Sequence, residues 1–440
     1  MIFLSDKRIA VVKEYWSKSK RLGFLHLLTS NVITRILSFV LILAIAKILS
    51  PADVGRINIM LAALTILITV GNFGTTTSVL KLCSENIQEE EIQNYFAHGF
   101  ILNIGSSIIT YFATFFIVLS KILTADSTLI KSLPFFLLVI FSSTLNNYFF
   151  AYLQSRQEII SISKIQASLK SYSIGVVIIS TFIWKFEGFV WSYIFTDMTS
   201  LLVYLFFILR YHKKINFSFN KLIFKKIFHL SKYGAFANQL GQLLQYLDTL
   251  VMSGLRIDLV GIGYYSIAQY FLLGANQITY TINQVVVPKL SFKSDELKNW
   301  EKSYADYEKV YSKTTLIVSG LIAIFAPLVI LFLLKPGYRV AIVYVLILLI
   351  GFIARTKSVP KSIATWSLGR LDYNFYSSLF AAIINFILNI SLILLFGTIG
   401  AASATSIAYI MAIPIFSHYL NKELRNREIT RVRHSPTIII

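Results

Sequence analysis

The chain has 440 residues, of which 14% are charged and 56% apolar, and it carries a formal charge of +20. A soluble domain has about 25% charged residues, and a soluble chain this apolar would expose patches that aggregate. The surplus of lysine and arginine does not indicate nucleic-acid binding, because the basic residues sit in loops and tails between apolar blocks, as membrane topology requires. Those blocks recur along nearly the whole length and reach about 20 residues, enough to cross a hydrocarbon core. Open sheets leave edge amides unpaired in lipid, and the blocks lack the alternation of an outer-membrane barrel. The expected fold class is all-α, a polytopic integral membrane protein with about twelve transmembrane helices.

In chain order, residues 1–26 form a basic N-terminal segment with Lys7, Arg8, Lys13, Lys18, Lys20 and Arg21. No small-residue cleavage site follows, so the first apolar block is expected to remain as a span. The predicted spans are 27–48, 54–80, 95–119, 133–153, 167–184 and 189–209, forming an N-terminal six-helix bundle over 27–209. A basic linker at 210–232 carries no acidic residue. Spans follow at 233–255, 262–287, 310–334, 341–368, 373–396 and 399–420, a second six-helix bundle over 233–420, with a basic tail at 421–440. With both termini cytoplasmic, the outer loops hold only Lys47, Arg56, Lys121, Lys131, Lys185, Arg256, Lys335 and Arg339 of the 41 basic residues. That asymmetry supports an even number of spans. Cys83 is the single cysteine, which excludes an intramolecular disulfide.

The halves share a faint repeat. Asp53-Val54-Gly55 matches Leu259-Val260-Gly261. Asn31, Arg35 and Ser38 match Asn238, Gln242 and Gln245, and Gly188-Phe189-Val190 matches Gly400-Ala401-Ala402, all at offsets close to half the chain. The order of these matches suggests two parallel repeats around a central cavity, the design of alternating-access transporters.

Charges inside spans are costly and usually face a protein-lined cavity. The candidates are Arg35, Asp197, Asp248, Arg355, Lys357 and Lys361. The basic excess suits an anionic substrate, since guanidinium groups match phosphate oxygens. The alternatives are that Arg355, Lys357 and Lys361 snorkel to headgroups and that Arg35 pairs with a carboxylate. Asn238, Gln242, Gln245 and Thr249 line one helical face. Gln269, Asn276, Gln277 and Asn283 add a second polar set, and Asn31, Thr34, Arg35 and Ser38 a third. Such faces can hold water and sugar hydroxyls, or can hold helices together. Asp248 and Asp197 are candidates for a coupling proton or sodium ion, and a structural role for Asp248 stays open. No Walker loop, G-x-G-x-x-G or His/Cys cluster is present, so neither a metal centre nor an enzyme is expected.

Several segments resemble the polysaccharide-unit (Wzx-type) flippases of the multidrug/oligosaccharidyl-lipid/polysaccharide exporter superfamily. They are Ala46-Lys47-Ile48-Leu49-Ser50-Pro51-Ala52-Asp53-Val54-Gly55, with Lys47 where arginine is more usual, and Leu247-Asp248-Thr249-Leu250 followed by Val260-Gly261-Ile262-Gly263-Tyr264-Tyr265. Val287-Pro288-Lys289-Leu290-Ser291 and Asn385, Leu388 and Asn389 with Gly397 and Gly400-Ala401-Ala402 complete the set. The resemblance implies translocation of an undecaprenyl-diphosphate-linked oligosaccharide across the bacterial inner membrane for O-antigen, capsule or exopolysaccharide synthesis. It also implies a partnership with polymerase and chain-length machinery. In that picture Arg35, Arg355, Lys357 and Lys361 contact the diphosphate, and Asn31, Asn238, Gln242, Gln245, Gln269 and Asn276 line the sugar cavity. The rival readings are a cation-coupled multidrug exporter of the same fold and a membrane polysaccharide polymerase or ligase. The basic excess disfavours the first, and the short outer loops disfavour the second.

Overall fold

The computed structural model describes residues 24–85, 87–211, 220–292 and 297–434. The side chains at 24–33, 35, 36, 211, 233–244, 284, 285, 288 and 428–434 lie outside the described set. All the long elements among the described residues are α-helices. They are α1 (Phe24–Ile48), α2 (Pro51–Asn72), α3 (Thr75–Leu82), α4 (Glu89–Leu119), α5 (Ser127–Phe136), α6 (Val139–Ser155), α7 (Ile159–Tyr211), α8 (Lys221–Gly254), α9 (Leu259–Phe292), α10 (Leu297–Leu333), α11 (Ala341–Ser367) and α12 (Leu371–His434). Seven helical stretches among these residues are long and apolar enough to cross a membrane. Residues such as Ile109 (72% exposed), Phe332 (80%) and Leu395 (71%) present apolar surface that only lipid can cover. The protein is therefore an all-α, multi-pass membrane protein.

Elements and passes do not coincide one to one. The span expected to run unbroken over 54–80 is interrupted at Phe73 and Gly74, both with positive φ, so α2 and α3 are two helices in one pass. Hydropathy does not register this break, because Gly71-Asn72-Phe73-Gly74 and the threonines after it are only mildly polar and are flanked by apolar residues. Two long helices are doubled. In α7 the backbone leaves helical geometry at Trp184 and Lys185, and in α12 at Gly397. At each site the chain reverses on itself. A Cβ on Gly188 would lie 2.0 Å from the Ser180 carbonyl oxygen, and one on Gly400 would lie 1.9 Å from that of Leu392. Residues eight apart on a straight helix would be about 12 Å apart. With α5 and α6 likewise joined in one apolar stretch, Ser127–Ser155, the described residues make twelve helical passes.

Polar helix ends also extend beyond the predicted spans. Part of the expected 210–232 linker is the first three turns of α8, capped by Asn220, whose side-chain oxygen accepts from Leu222 N at 2.9 Å. Likewise α10 begins at Leu297, thirteen residues before its apolar stretch. Its Trp300, Tyr307 and Tyr311 are buried against Leu290, Ile363, Leu368 and Leu420. Amphipathic turns of this kind are stabilised by tertiary packing, which a hydropathy window cannot detect.

The contacts group the described residues into two compact units. The first comprises those up to Leu49 together with Ala63–Gln242, and the second comprises Ser50–Ala62 together with those from Leu243 onward. The first unit is centred on rings: Phe96 lies 4.4 Å from Tyr152 and 5.4 Å from Tyr148, whose hydroxyl donates to the Phe96 carbonyl. In the second unit the Ser50-Pro51-Ala52-Asp53-Val54-Gly55-Arg56 segment starts α2. Ser50 Oγ accepts from Asp53 N at 3.2 Å and donates to Asp53 Oδ2 at 2.7 Å, a reciprocal cap with proline at the first helical position. Arg56 holds the other carboxylate oxygen at 2.7 Å. Gly55 and Gly263 then let α2 and α9 touch backbone to backbone, because a Cβ on either would meet a carbonyl oxygen of the other helix at 2.2 or 1.9 Å.

Candidate functional site

The second unit carries a carboxylate inside a pass. Asp248 on α8 is 3% exposed. Its Oδ2 accepts from the Tyr265 hydroxyl of α9 and from Thr405 Oγ1 of α12 at 2.8 Å. Its Oδ1 accepts from Asn389 Nδ2 at 3.3 Å. The same amide nitrogen also points at Asn385 Oδ1 at 2.9 Å and at the Asn385 carbonyl at 3.0 Å. Asn389 Oδ1 is buried with no hydrogen-bond partner. Four helical arms thus bring a carboxylate, two side-chain amides and two hydroxyls into one water-poor spot. Among the described residues no cation neutralises it. Oxygen-rich sets of this type suit a hard monovalent cation or a proton.

Around this core the polar residues of α8 and α9 bond to neighbouring helices. Asn58 Nδ2 of α2 donates to Thr249 Oγ1 at 3.1 Å, and Asn58 Oδ1 accepts from Tyr270 OH at 3.1 Å. Gln269 is buried, and its Nε2 donates to the Gln245 carbonyl at 2.9 Å. Seven and fourteen residues further along the same face, Asn276 accepts from Arg355 and Asn283 from the Tyr307 hydroxyl at 2.8 Å. Gln269 and Asn283 therefore join helices, while Asn276 orients a guanidinium. The Gln245 side chain is half-buried.

Arg355 sits on α11, half-buried, with its guanidinium 5.1 Å from the centroid of the Tyr409 ring. It forms no ion pair among the described residues. Tyr409 lies one turn after Thr405 on α12 and within electrostatic reach of both Arg355 and Asp248. Lys357 and Lys361 lie elsewhere on the helix. At 100° per residue they project about 200° and 240° from Arg355, so the three do not form one cationic face. Lys357 is exposed, and Lys361 Nζ donates to Ser417 Oγ at 2.5 Å.

The first unit holds the other intramembrane carboxylate. Asp197 on the second arm of α7 is half-buried and accepts from Ser142 Oγ and, at 3.0 Å, from Ser143 Oγ of α6. Asn146 Nδ2 donates to the Asp197 carbonyl at 3.3 Å. Lys170 on the first arm of α7 is within electrostatic reach. Lys170 falls at the fourth residue of the predicted fifth span, where it reads as a loop charge. The side chains of Asn31, Arg35, Asn238 and Gln242 lie outside the described residues.

The sequence reading also passed over a cavity. Beside the α2–α3 break, a space of about 410 Å³ is lined by Thr69, Asn72, Thr76 and Thr77 with Asn147 and Gln154 of α6. Beside it, Asn103 Nδ2 donates to Thr75 Oγ1 at 2.8 Å and the Ser107 and Thr144 hydroxyls are hydrogen-bonded at 2.8 Å, so the wall is stiff. The detectable signal was the run Gly74-Thr75-Thr76-Thr77 in mid-span, a glycine followed by hydroxyls where lipid-facing residues were expected.

The twelve passes and the buried charges define a polytopic helical membrane protein with the architecture of solved transporters. It is similar to "Lipid II flippase MurJ, inward closed conformation" (TM-score 0.71, 20% identity, 91% of this chain and 87% of that one). It is also similar to an inward-facing multidrug resistance MATE family transporter of the MOP superfamily (TM-score 0.70, 13% identity, 92% and 99%). A MOP superfamily transporter from Pyrococcus furiosus, described as having a binding pocket of reverse polarity, aligns with TM-score 0.55 and 13% identity over 91% and 93%. No curated protein sequence matches the chain. Residues 22–292 match the family model described as "Polysaccharide biosynthesis protein", and the chain belongs to that family.

Proposed function

We propose that the protein translocates a lipid-linked oligosaccharide, with an undecaprenyl-diphosphate carrier, across the bacterial inner membrane by alternating access. The observation that carries this reading is Arg355. A guanidinium within a membrane pass, oriented by neutral Asn276 and a tyrosine ring and lacking a carboxylate partner among the described residues, calls for an anion. A diphosphate matches its fork. Within the first unit, the hydroxyl- and amide-lined cavity has the chemistry by which sugars are recognised, through many weak hydrogen bonds. Membership of a polysaccharide biosynthesis family supports the same substrate class. Asp248 takes the coupling proton or sodium ion, and the Thr405–Tyr409 turn of α12 carries its occupancy to Arg355. The free Asn389 carbonyl oxygen beside the carboxylate fits a cation there.

The test is deletion of the gene followed by analysis of lipid-linked saccharides and complementation with Arg355→Ala and Arg355→Lys. Undecaprenyl-linked single units should accumulate on the cytoplasmic side. The alanine variant should fail to clear them at normal membrane abundance, and the lysine variant should restore part of the flux because it lacks the planar fork. Units accumulating on the periplasmic side would indicate a polymerase. Unchanged polysaccharide with altered drug sensitivity would indicate a multidrug exporter.

A further inference from the structure

The first three turns of α8, Lys221 to Lys232, lie outside the apolar spans and are held rigidly on the first unit. Asn220 N donates to His98 Nε2 at 2.8 Å, and Ser231 Oγ meets Ser78 Oγ at 2.9 Å. Ile227 is fully buried, and the Phe228 ring packs 5.4 Å from that of Phe73. Lys226 Nζ donates to the Tyr95 hydroxyl at 2.7 Å and lies 4.8 Å from that ring's centroid. Packing that fixes one face fixes the opposite face as well. There Leu222 is 78% exposed, alongside exposed Lys221 and Lys225.

Between this helix and the end of α3 runs an open groove of about 470 Å³. Lys81, Lys225, Lys226 and His229 line it, with Glu85 as its one acid and Leu222 at its edge. A solvated charged surface does not leave a leucine this exposed, and a core contact would not surround it with lysines. Basic residues interleaved with exposed apolar ones on a helix at the end of membrane passes have the chemistry of a headgroup boundary.

We propose that this groove binds the phosphate headgroup of an anionic phospholipid of the surrounding leaflet, with Lys81, Lys225 and Lys226 on the phosphate and Leu222 against the first acyl carbons. A soluble anion would make no use of Leu222, whereas a lipid uses both chemistries at once. The site holds a resident lipid, and it stands whether or not the translocated cargo is a lipid-linked saccharide.

The experiment is native mass spectrometry of the delipidated full-length protein titrated with phosphatidylglycerol and, separately, phosphatidylcholine. The wild type is compared with Lys81→Gln/Lys225→Gln/Lys226→Gln and with Lys298→Gln/Lys302→Gln/Lys309→Gln, which removes equal charge from exposed positions on α10. Each lysine near a phosphate contributes about fivefold, so the groove variant should lose roughly 100-fold in phosphatidylglycerol affinity. The α10 variant should stay within about twofold, and phosphatidylcholine binding should not change. Leu222→Gln should weaken phosphatidylglycerol while leaving its salt dependence intact. The single variant Lys225→Gln, at an exposed position, gives the same answer if the triple variant is poorly folded. Undiminished phosphatidylglycerol binding by the groove variant, equal losses in both triple variants, or displacement of the lipid by millimolar inorganic phosphate would each overturn the proposal.

Discussion

Each unit places an aspartate inside a pass, and the two are held in contrasting ways. Asp197 is half-buried, takes hydroxyl donors from neighbouring Ser142 and Ser143, and has Lys170 within reach. Asp248 is sealed at 3% exposure among neutral donors from three other arms, with an amide oxygen left unpaired beside it. The first arrangement has a cation of its own chain within electrostatic reach. Among the described residues the second has no positive charge beside it. A buried carboxylate is therefore not informative in itself; what decides its role is whether the chain also supplies the counter-charge.

The largest expected effect is at Asp248. Asp248→Asn keeps most of the hydrogen bonds, so the protein should still reach the membrane folded, but transport and its response to sodium or proton gradients should fall roughly 5–150-fold. A variant that transports normally with the same ion dependence would remove Asp248 from coupling. At Asp197 the readout is stability. Asp197→Asn should destabilise by about 1–3 kcal/mol in detergent melts, since it leaves Lys170 without its counter-charge. Adding Lys170→Met should recover most of that loss. If the double variant is no better than the single, the two residues do not act as a pair.

Smaller effects separate the two hairpins. Lys185 adopts φ 52, ψ −131, and Gly397 adopts φ 59, ψ −135. Lys185→Gly should stabilise by about 1 kcal/mol by removing side-chain strain, and Gly397→Ala should cost about 1–3 kcal/mol. Thermal midpoints of the two variants moving in the same direction would show that the turns are not equivalent. The smallest effect lies at the start of α12. There the Arg370 guanidinium beside Asp372 holds that carboxyl below the usual carboxylate range. A lowered folded-state value means the contribution is present above the ordinary carboxylate range, near pH 4, and disappears as pH falls through the folded value. Because the pair is exposed, Asp372→Asn should change the acid limb of a stability–pH curve by only a few tenths of a kcal/mol.

Much of this was legible in the sequence. Twelve passes followed from apolar length and the placement of lysine and arginine, and the Ser50–Gly55 motif is a helix start whose residues act as a cap and a close contact. Asp248 and Asn389 stood out as polar groups in apolar surroundings, although their meeting depends on helix packing, which a linear reading does not contain. The faces of α11 were harder to read, because Arg355 and Lys361 are near in sequence but far apart around the helix. The 410 Å³ cavity was missed because threonines are only mildly polar on a hydropathy scale, so a break lined with them still scores as span. The polar first turns of α8 and α10 were read as linker for the opposite reason.

The paired hairpins also bear on ancestry. Positions 180, 185 and 188 of the first unit correspond to 392, 397 and 400 of the second at one constant offset, and the same backbone reversal occurs at both. If the two halves descend from one duplicated segment, they have since drifted under different penalties. Where a methyl group would lie about 2 Å from a carbonyl oxygen, both copies still carry glycine, at 188 and 400. Where the cost is only backbone strain, one copy carries lysine and the other glycine. Hard steric exclusion has kept the shared origin readable at one position, and tolerable strain has let it fade three residues away.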